Sequence, residues 1–148
     1  MMAERKEEKL KMMYYETRLP VRYYETDQMG IVHHSNYIRY FECARSAMMA
    51  EGGYPIERCE EEGVTMPVVS VECKYLHPAK MGDVLVATAA IESVPLAKLV
   101  IKQEVYNQDG QLCATGRVVL GFLSKETNRP VRCPQPMADL IGSRLNDR

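Results

Sequence analysis

Polar and apolar positions divide the chain into three regimes. The first, MMAERKEEKLKMM at residues 1–13, is dominated by charge and is expected to fray. It gives way to a short alternating run from Arg18 to Thr26, with Leu19, Val21 and Tyr23 on one side and Arg22 and Tyr24 on the other. That period predicts a strand, and Pro20 restricts it to an edge or an early strand position. Gly30 then allows a tight turn in TDQMG.

The second regime has helical spacing. Tyr37, Phe41, Ala44 and Met48 recur at four, three and four residues, and Ile38, Tyr40, Ala47 and Met49 widen the apolar face. Charge is confined to Arg39, Glu42 and Arg45, too narrow a stripe for a surface helix. A long, mostly buried helix is therefore expected, beginning near Ser35 or Asn36 as N-cap and stopping at Gly52-Gly53. A short second helix is expected over Pro55 to Glu62, with Pro55 in its first turn.

After Gly63 the period becomes two. Val69, Val71, Cys73 and Tyr75 alternate with Ser70, Glu72 and Lys74. Val84 to Val94, Leu99 to Tyr106 and Leu112 to Leu123 make three further runs, and Asp109-Gly110 within NQDGQ marks a hairpin turn. Leu85, Ala87, Ala89 and Ile91 are small or medium in size, as a face close under a helix requires. The tail from Asn128 holds three prolines and a short helical pattern over Met137 to Leu145. Strand, long helix, short helix and four strands without βαβ alternation give an α+β architecture: one curved antiparallel sheet around one helix. The open edges of such a sheet are expected to pair with a second copy.

Composition adds limits. A chain of 148 residues is one domain by size. With 19 basic and 20 acidic residues the formal charge is −1, which argues against a general nucleic-acid or anionic-membrane partner and leaves room for a local basic pocket. No window approaches the ~18 apolar residues of a membrane span. The N-terminus lacks an apolar core of signal-peptide length. Five cysteines, at 43, 59, 73, 113 and 133, form no CxxC pair. With Cys43, Cys73 and Cys113 inside predicted elements, they read as small apolar side chains of a reduced, cytoplasmic protein.

The densest cluster of reactive side chains precedes the long helix: Asp27, His33, His34, Ser35 and Asn36. A helix start offers unpaired N–H groups and partial positive charge. Asp27 reads equally as a turn carboxylate or as a nucleophile or general base, with the helix end serving an oxyanion. His33 and His34, being adjacent, are not expected to enter one pocket together. The third histidine, His77, falls in another element and no Cys/His spacing fits zinc, so no metal is expected. Neither a nucleophile elbow nor a GxGxxG or P-loop pattern occurs.

The stretch YYETDQMGIVHHSNYIRYFECAR resembles the signature of the hotdog-fold acyl-CoA thioesterases, in the 4-hydroxybenzoyl-CoA thioesterase and YbgC-like branch. The matching features are Tyr23-Tyr24, Thr26-Asp27, Gly30, Ile31-Val32 and His34-Ser35-Asn36-Tyr37, and MPVVSVECKYLHPAKMGDVL is similar to the family's next strand and turn. The resemblance spans roughly residues 17–125. It implies a hotdog fold, a CoA thioester as substrate and no cofactor. Asp27 falls on the catalytic carboxylate, and His34 on the residue whose backbone N–H polarises the thioester carbonyl. Gly30 shapes the pocket, while Asn36 and Tyr37 fix the helix end. Gln28-Met29 departs from the small residues or Pro-Ala frequent there. Family sites lie at a subunit interface, which makes Val69, Ser70, Val71 and Lys74 candidates for lining the pantetheine tunnel, in a homodimer or dimer of dimers. Lys74, Lys98 and Arg117 are candidates for CoA phosphates, against a plainer reading as solvated charges. Two other functions stay open: a hotdog hydratase or dehydratase, although its D-x4-H spacing is not met by Asp27 with His33 or His34, and a non-catalytic acyl-CoA-binding protein.

Overall fold

The period-two runs pair into a single five-stranded sheet. The computed structural model describes residues 13–146. Strands β1 (Met13–Pro20), β3 (Val68–Tyr75), β4 (Val84–Ile91), β5 (Lys98–Tyr106) and β6 (Leu112–Gly121) lie in the order β1-β4-β5-β6-β3. Every neighbouring pair is antiparallel. A second sheet of two short strands, β2 (Val64–Thr65) and β7 (Leu123–Ser124), was not foreseen. The Asp109-Gly110 turn forms as expected: Asn107 Oδ1 accepts from the N–H groups of Asp109 and Gln111, and Gly110 takes φ +79°.

The first strand departs from expectation. It occupies Met13–Pro20 rather than Arg18 to Thr26, and Tyr23–Glu25 form a short 3-10 turn. Two bonds end the strand, one long-range and one local. The Val21 N–H turns to the Asp83 carbonyl, and the Glu25 carboxylate accepts from the Arg22 N–H at 2.8 Å. Tyr23 and Tyr24, which looked like strand aromatics, are 80% and 74% exposed. Pro20 ends an edge strand, where a missing N–H costs no ladder bond. Met13, at the end of the segment expected to fray, is buried and opposite Ile91. Residues 1–12 of that segment lie outside the described residues.

Three helices complete the chain: α1 (Ser35–Glu51), α2 (Ile56–Glu61) and α3 (Gln135–Asn146). Helix α1 lies on the sheet and buries Tyr37, Tyr40, Phe41, Ala44, Met48 and Met49. Apart from Ala44, side chains of this size each contribute roughly 1.5–3 kcal/mol on burial. Beneath it Leu85, Ala87, Ala89 and Ile91 of β4 are fully buried, the alanines letting helix and sheet approach. Gly116 of β6 has the same role, since a Cβ there would overlap the Phe41 ring. Gly53 carries φ +94° just past the helix, the stop that Gly52-Gly53 predicts. Pro55 stands at the N-cap of α2, one position before its first turn.

One buried polar side chain ties helix to sheet. Gln103 of β5 is 1% exposed, and its Nε2 donates to the Phe41 carbonyl at 2.6 Å and the Thr88 carbonyl at 3.3 Å. Arg45 Nη1 donates to its Oε1 at 3.5 Å. Both ends of the carboxamide are thereby satisfied inside the core.

The helix is covered on one side only. Arg39, Glu42, Cys43 and Ala50 are exposed within the single chain, where a mostly buried helix was expected. Five strands under one helix leave its far face open. Cys43 is consequently a surface thiol, not a core residue, whereas Cys59, Cys113 and Cys133 are buried. Burial pushes the Cys59 thiol up to about 11 and the Cys133 thiol up to about 12. Iodoacetamide at neutral pH should therefore label Cys43 in the folded protein, and Cys59, Cys113 and Cys133 only after denaturation. Peptide mass spectrometry reads this out, and native labelling of Cys133 would contradict the packing of the C-terminal segment. Among the described residues, no helix is long and apolar enough to cross a membrane.

Candidate active site

The loop between the 3-10 turn and α1 is built by short-range bonds. Asp27 begins a turn in which Gly30 N–H donates to the Asp27 carbonyl at 3.0 Å and Met29 N–H donates to Asp27 Oδ1 at 2.8 Å. Gly30 takes φ +78°, a conformation that side chains disfavour. The loop is then stitched to the segment after β3. Val32 N–H donates to the Ala79 carbonyl, and Met81 N–H donates to that of Gly30. Asp27 thus realises the turn reading with one oxygen. Among the described residues, no hydrogen bond engages its Oδ2.

The start of α1 is held from outside. His34 stands at the N-cap position with helical φ −52° and ψ −32°, and its side chain makes no capping bond. Ser35 and Asn36 lie inside the helix and do not cap it. Asn36 Nδ2 instead donates to the Glu25 carbonyl at 2.9 Å, an acceptor shared with the His33 N–H at 2.8 Å. The buried Glu25 carboxylate also accepts from the Tyr40 hydroxyl at 3.1 Å. Tyr37 Oη accepts from the Ala79 N–H at 3.3 Å, and the Tyr75 hydroxyl donates to the His34 carbonyl at 3.2 Å. Among the described residues, the His34 N–H has no acceptor.

Asp27, His34, Tyr37 and Tyr75 border one cleft of about 470 Å³, whose walls also include Met29 and His77. That volume is in the range of small-molecule sites. The two adjacent imidazoles stack with centroids 4.1 Å apart, yet only His34 lines the cleft. His33 Nδ1 lies 2.8 Å from Ser35 Oγ. His77, set apart in the sequence reading by its element, reaches the same wall as His34 because β3 ends there. Tyr75 reaches the wall by the same route. The alternation in VECKYLHP marks the strand but not what its end meets.

Burial pushes the Tyr37 phenol up, and burial followed by Cys73 pushes Tyr75 up, so both stay protonated at neutral pH. Gly30 closes the turn and is not part of the cleft wall. Val69, Ser70, Val71 and Lys74 stand exposed on the edge strand β3, outside the cleft of their own chain. Among the described residues, no cluster of three His, Cys, Asp or Glu side chains could hold a metal ion. Chemically, the residues lining the cleft bring together a carboxylate oxygen and a helix-start N–H that have no partner among the described residues. One can attack or activate water, and the other can stabilise an oxyanion.

Comparison with known proteins gives a consistent result. Residues 21–141 match the Thioesterase-like superfamily. YneP of Bacillus subtilis is 33% identical over 121 residues, 82% of this chain and 88% of that protein. The acyl-CoA thioesterase YbgC of Helicobacter pylori is 29% identical over 134 residues, 85% of this chain and 98% of its own. A crystal structure of a DHNA-CoA thioesterase from Staphylococcus aureus superposes with a TM-score of 0.82 at 27% identity, covering 90% of this chain and 91% of that one. The likeness covers most of the α+β arrangement, which is the hotdog fold.

Proposed function

The chain belongs to the Thioesterase-like superfamily and is a hydrolase of acyl-CoA thioesters, and we propose that Asp27 and the backbone amide of His34 carry that reaction. The observation behind the assignment is that Asp27 Oδ2 and the His34 N–H, both without a partner among the described residues, belong to residues lining one cleft. The thioester carbonyl oxygen takes the His34 N–H, which polarises the C=O and stabilises negative charge as it develops. Asp27 then acts by one of two routes. As nucleophile its carboxylate forms an anhydride with the acyl group, expels CoA thiolate and is released by water. As general base it takes a proton from the water that attacks directly. Label found in Asp27 after a single turnover in labelled water identifies the first route, since water opening the anhydride at the aspartyl carbonyl leaves its oxygen there and the general-base route never does.

Thiol release from short, long and aromatic acyl-CoAs tests the reaction and ranks the acyl groups. A protein that binds these thioesters and releases no thiol is a binding module, and a protein that hydrates an enoyl-CoA is a hydratase. A cytoplasmic location fits five free thiols.

The working form is a dimer, or a dimer of dimers, with β3 lying beside its twin. Strand β3 is an edge whose Val68, Val69 and Val71 are 48%, 52% and 38% exposed, an apolar edge that a lone chain would leave prone to aggregation. Two-fold pairing of β3 satisfies both edges at once. It also carries Val69, Ser70, Val71 and Lys74 toward a neighbouring chain, where they line the substrate channel. Sedimentation at assay concentration should show no monomer, and activity should fall on dilution before secondary structure is lost. A fully active monomer would remove the shared channel.

A further inference from the structure

The end of β3 meets the start of α1 through one side chain. Tyr75 places its hydroxyl 3.2 Å from the His34 carbonyl, and its ring packs edge-on against His34 and Tyr37, with centroids 6.2 and 5.4 Å away. Tyr37 is itself fixed by the Ala79 N–H. The carbonyl that Tyr75 binds also accepts the Tyr37 N–H at a long 3.3 Å, a three-residue turn bond at the helix start. A peptide oxygen has two lone pairs, so both donors are accommodated. The His34 side chain makes no capping bond, while His33 Nδ1 accepts the Ser35 N–H at 3.3 Å. The peptide unit between His34 and Ser35 is therefore held at its N–H by the loop and at its carbonyl by Tyr75 from the sheet. Burial and the neighbouring Cys73 push the phenol up, which keeps it a donor at neutral pH.

We propose that Tyr75 is a positioning residue for thioester hydrolysis, its hydroxyl holding the His34 carbonyl so that the adjoining His34 N–H keeps its aim into the cleft. The inference rests on the reading of that N–H as the oxyanion donor. It separates the two parts of the Tyr75 side chain: the hydroxyl acts through His34 on the rate, and the ring is a wall for the acyl group.

Tyr75→Phe keeps the ring and removes the hydroxyl. It should lower kcat about 3- to 10-fold with KM within about twofold of wild type, the size expected for one hydrogen bond felt in the transition state. Tyr75→Leu removes the ring as well and should also raise KM and alter the ranking of acyl groups. Hydrogen–deuterium exchange of a peptide spanning residues 33–40 supplies a readout without turnover. It should quicken in Tyr75→Phe while a peptide over residues 41–49 is unchanged. A Tyr75→Phe enzyme with wild-type kcat, or with unchanged exchange at 33–40, overturns the proposal. A wild-type chain that hydrolyses no thioester overturns the oxyanion reading itself, and exchange alone then decides whether Tyr75 holds the helix start.

Discussion

Replacing Asp27 with Asn is expected to lower turnover of acyl-CoA by about 10²–10⁴-fold, the range for removing a positioned acid–base group. The fold should be untouched, for a reason visible in the loop. Met29 N–H donates to Asp27 Oδ1, and an Asn carboxamide offers an acceptor oxygen in the same place. The turn that ends in Gly30 at φ +78° can therefore close as before. Only the charge and the free Oδ2 are lost. Asp27→Ala is the less informative variant, since it also removes the turn acceptor at a cost of about 1 kcal/mol. Thiol release, thermal melting and calorimetric binding of an acyl-CoA form the measurement. A well-folded Asp27→Asn protein with near-normal hydrolysis would sink the assignment of this carboxylate.

His34→Pro should reduce kcat by about 10²–10³-fold, comparable to the loss of one oxyanion donor elsewhere. Proline removes the imidazole and, unlike alanine, also the N–H that the proposed reaction needs. The native φ of −52° is close to the value the ring imposes, and among the described residues the His34 N–H bonds to nothing. Proline is also well tolerated at helix starts. His34→Ala is the control, since it deletes the imidazole and keeps the amide, and its effect should be much the smaller. The comparison needs circular dichroism on both variants beside the kinetics. Equal hydrolysis by two folded proteins would show that the amide does not polarise the substrate.

Residues whose role depends on near neighbours were legible in the sequence. The long helix, its Gly stop, the Asp109-Gly110 turn and the strands after Gly63 follow from periods and turn chemistry that span a few residues each. Asp27, Gly30 and His34 were legible as parts of a motif. The first strand was misplaced because Tyr23 and Tyr24 have strand propensity, while the Glu25 carboxylate, three residues from Arg22, closes a turn over them. Side-chain capping of that kind overrides propensity without altering the apolar pattern. Tyr75 and His77 were not legible as site residues. They stand more than 40 positions after His34, and only the antiparallel register that ends β3 beside α1 brings them to it. The exposed face of α1 was missed for the opposite reason. Apolar spacing shows which residues can be covered, and the number of strands under a helix decides which are.

The buried carboxamide of Gln103 has a consequence for aim. Apolar packing of α1 on β4 resists separation but discriminates weakly between slightly rotated seatings of a cylinder on a sheet. A hydrogen bond to the Phe41 carbonyl is directional, so Gln103 selects one angular setting of the helix about its own axis. Phe41 lies seven residues beyond His34, roughly 10 Å along that axis. With Cα atoms at a radius of about 2.3 Å, a 10° turn of the cylinder would swing each by about 0.4 Å, close to the tolerance of a working site. Azimuth in this protein is thus set from mid-helix, by a β5 side chain that lies outside the cleft.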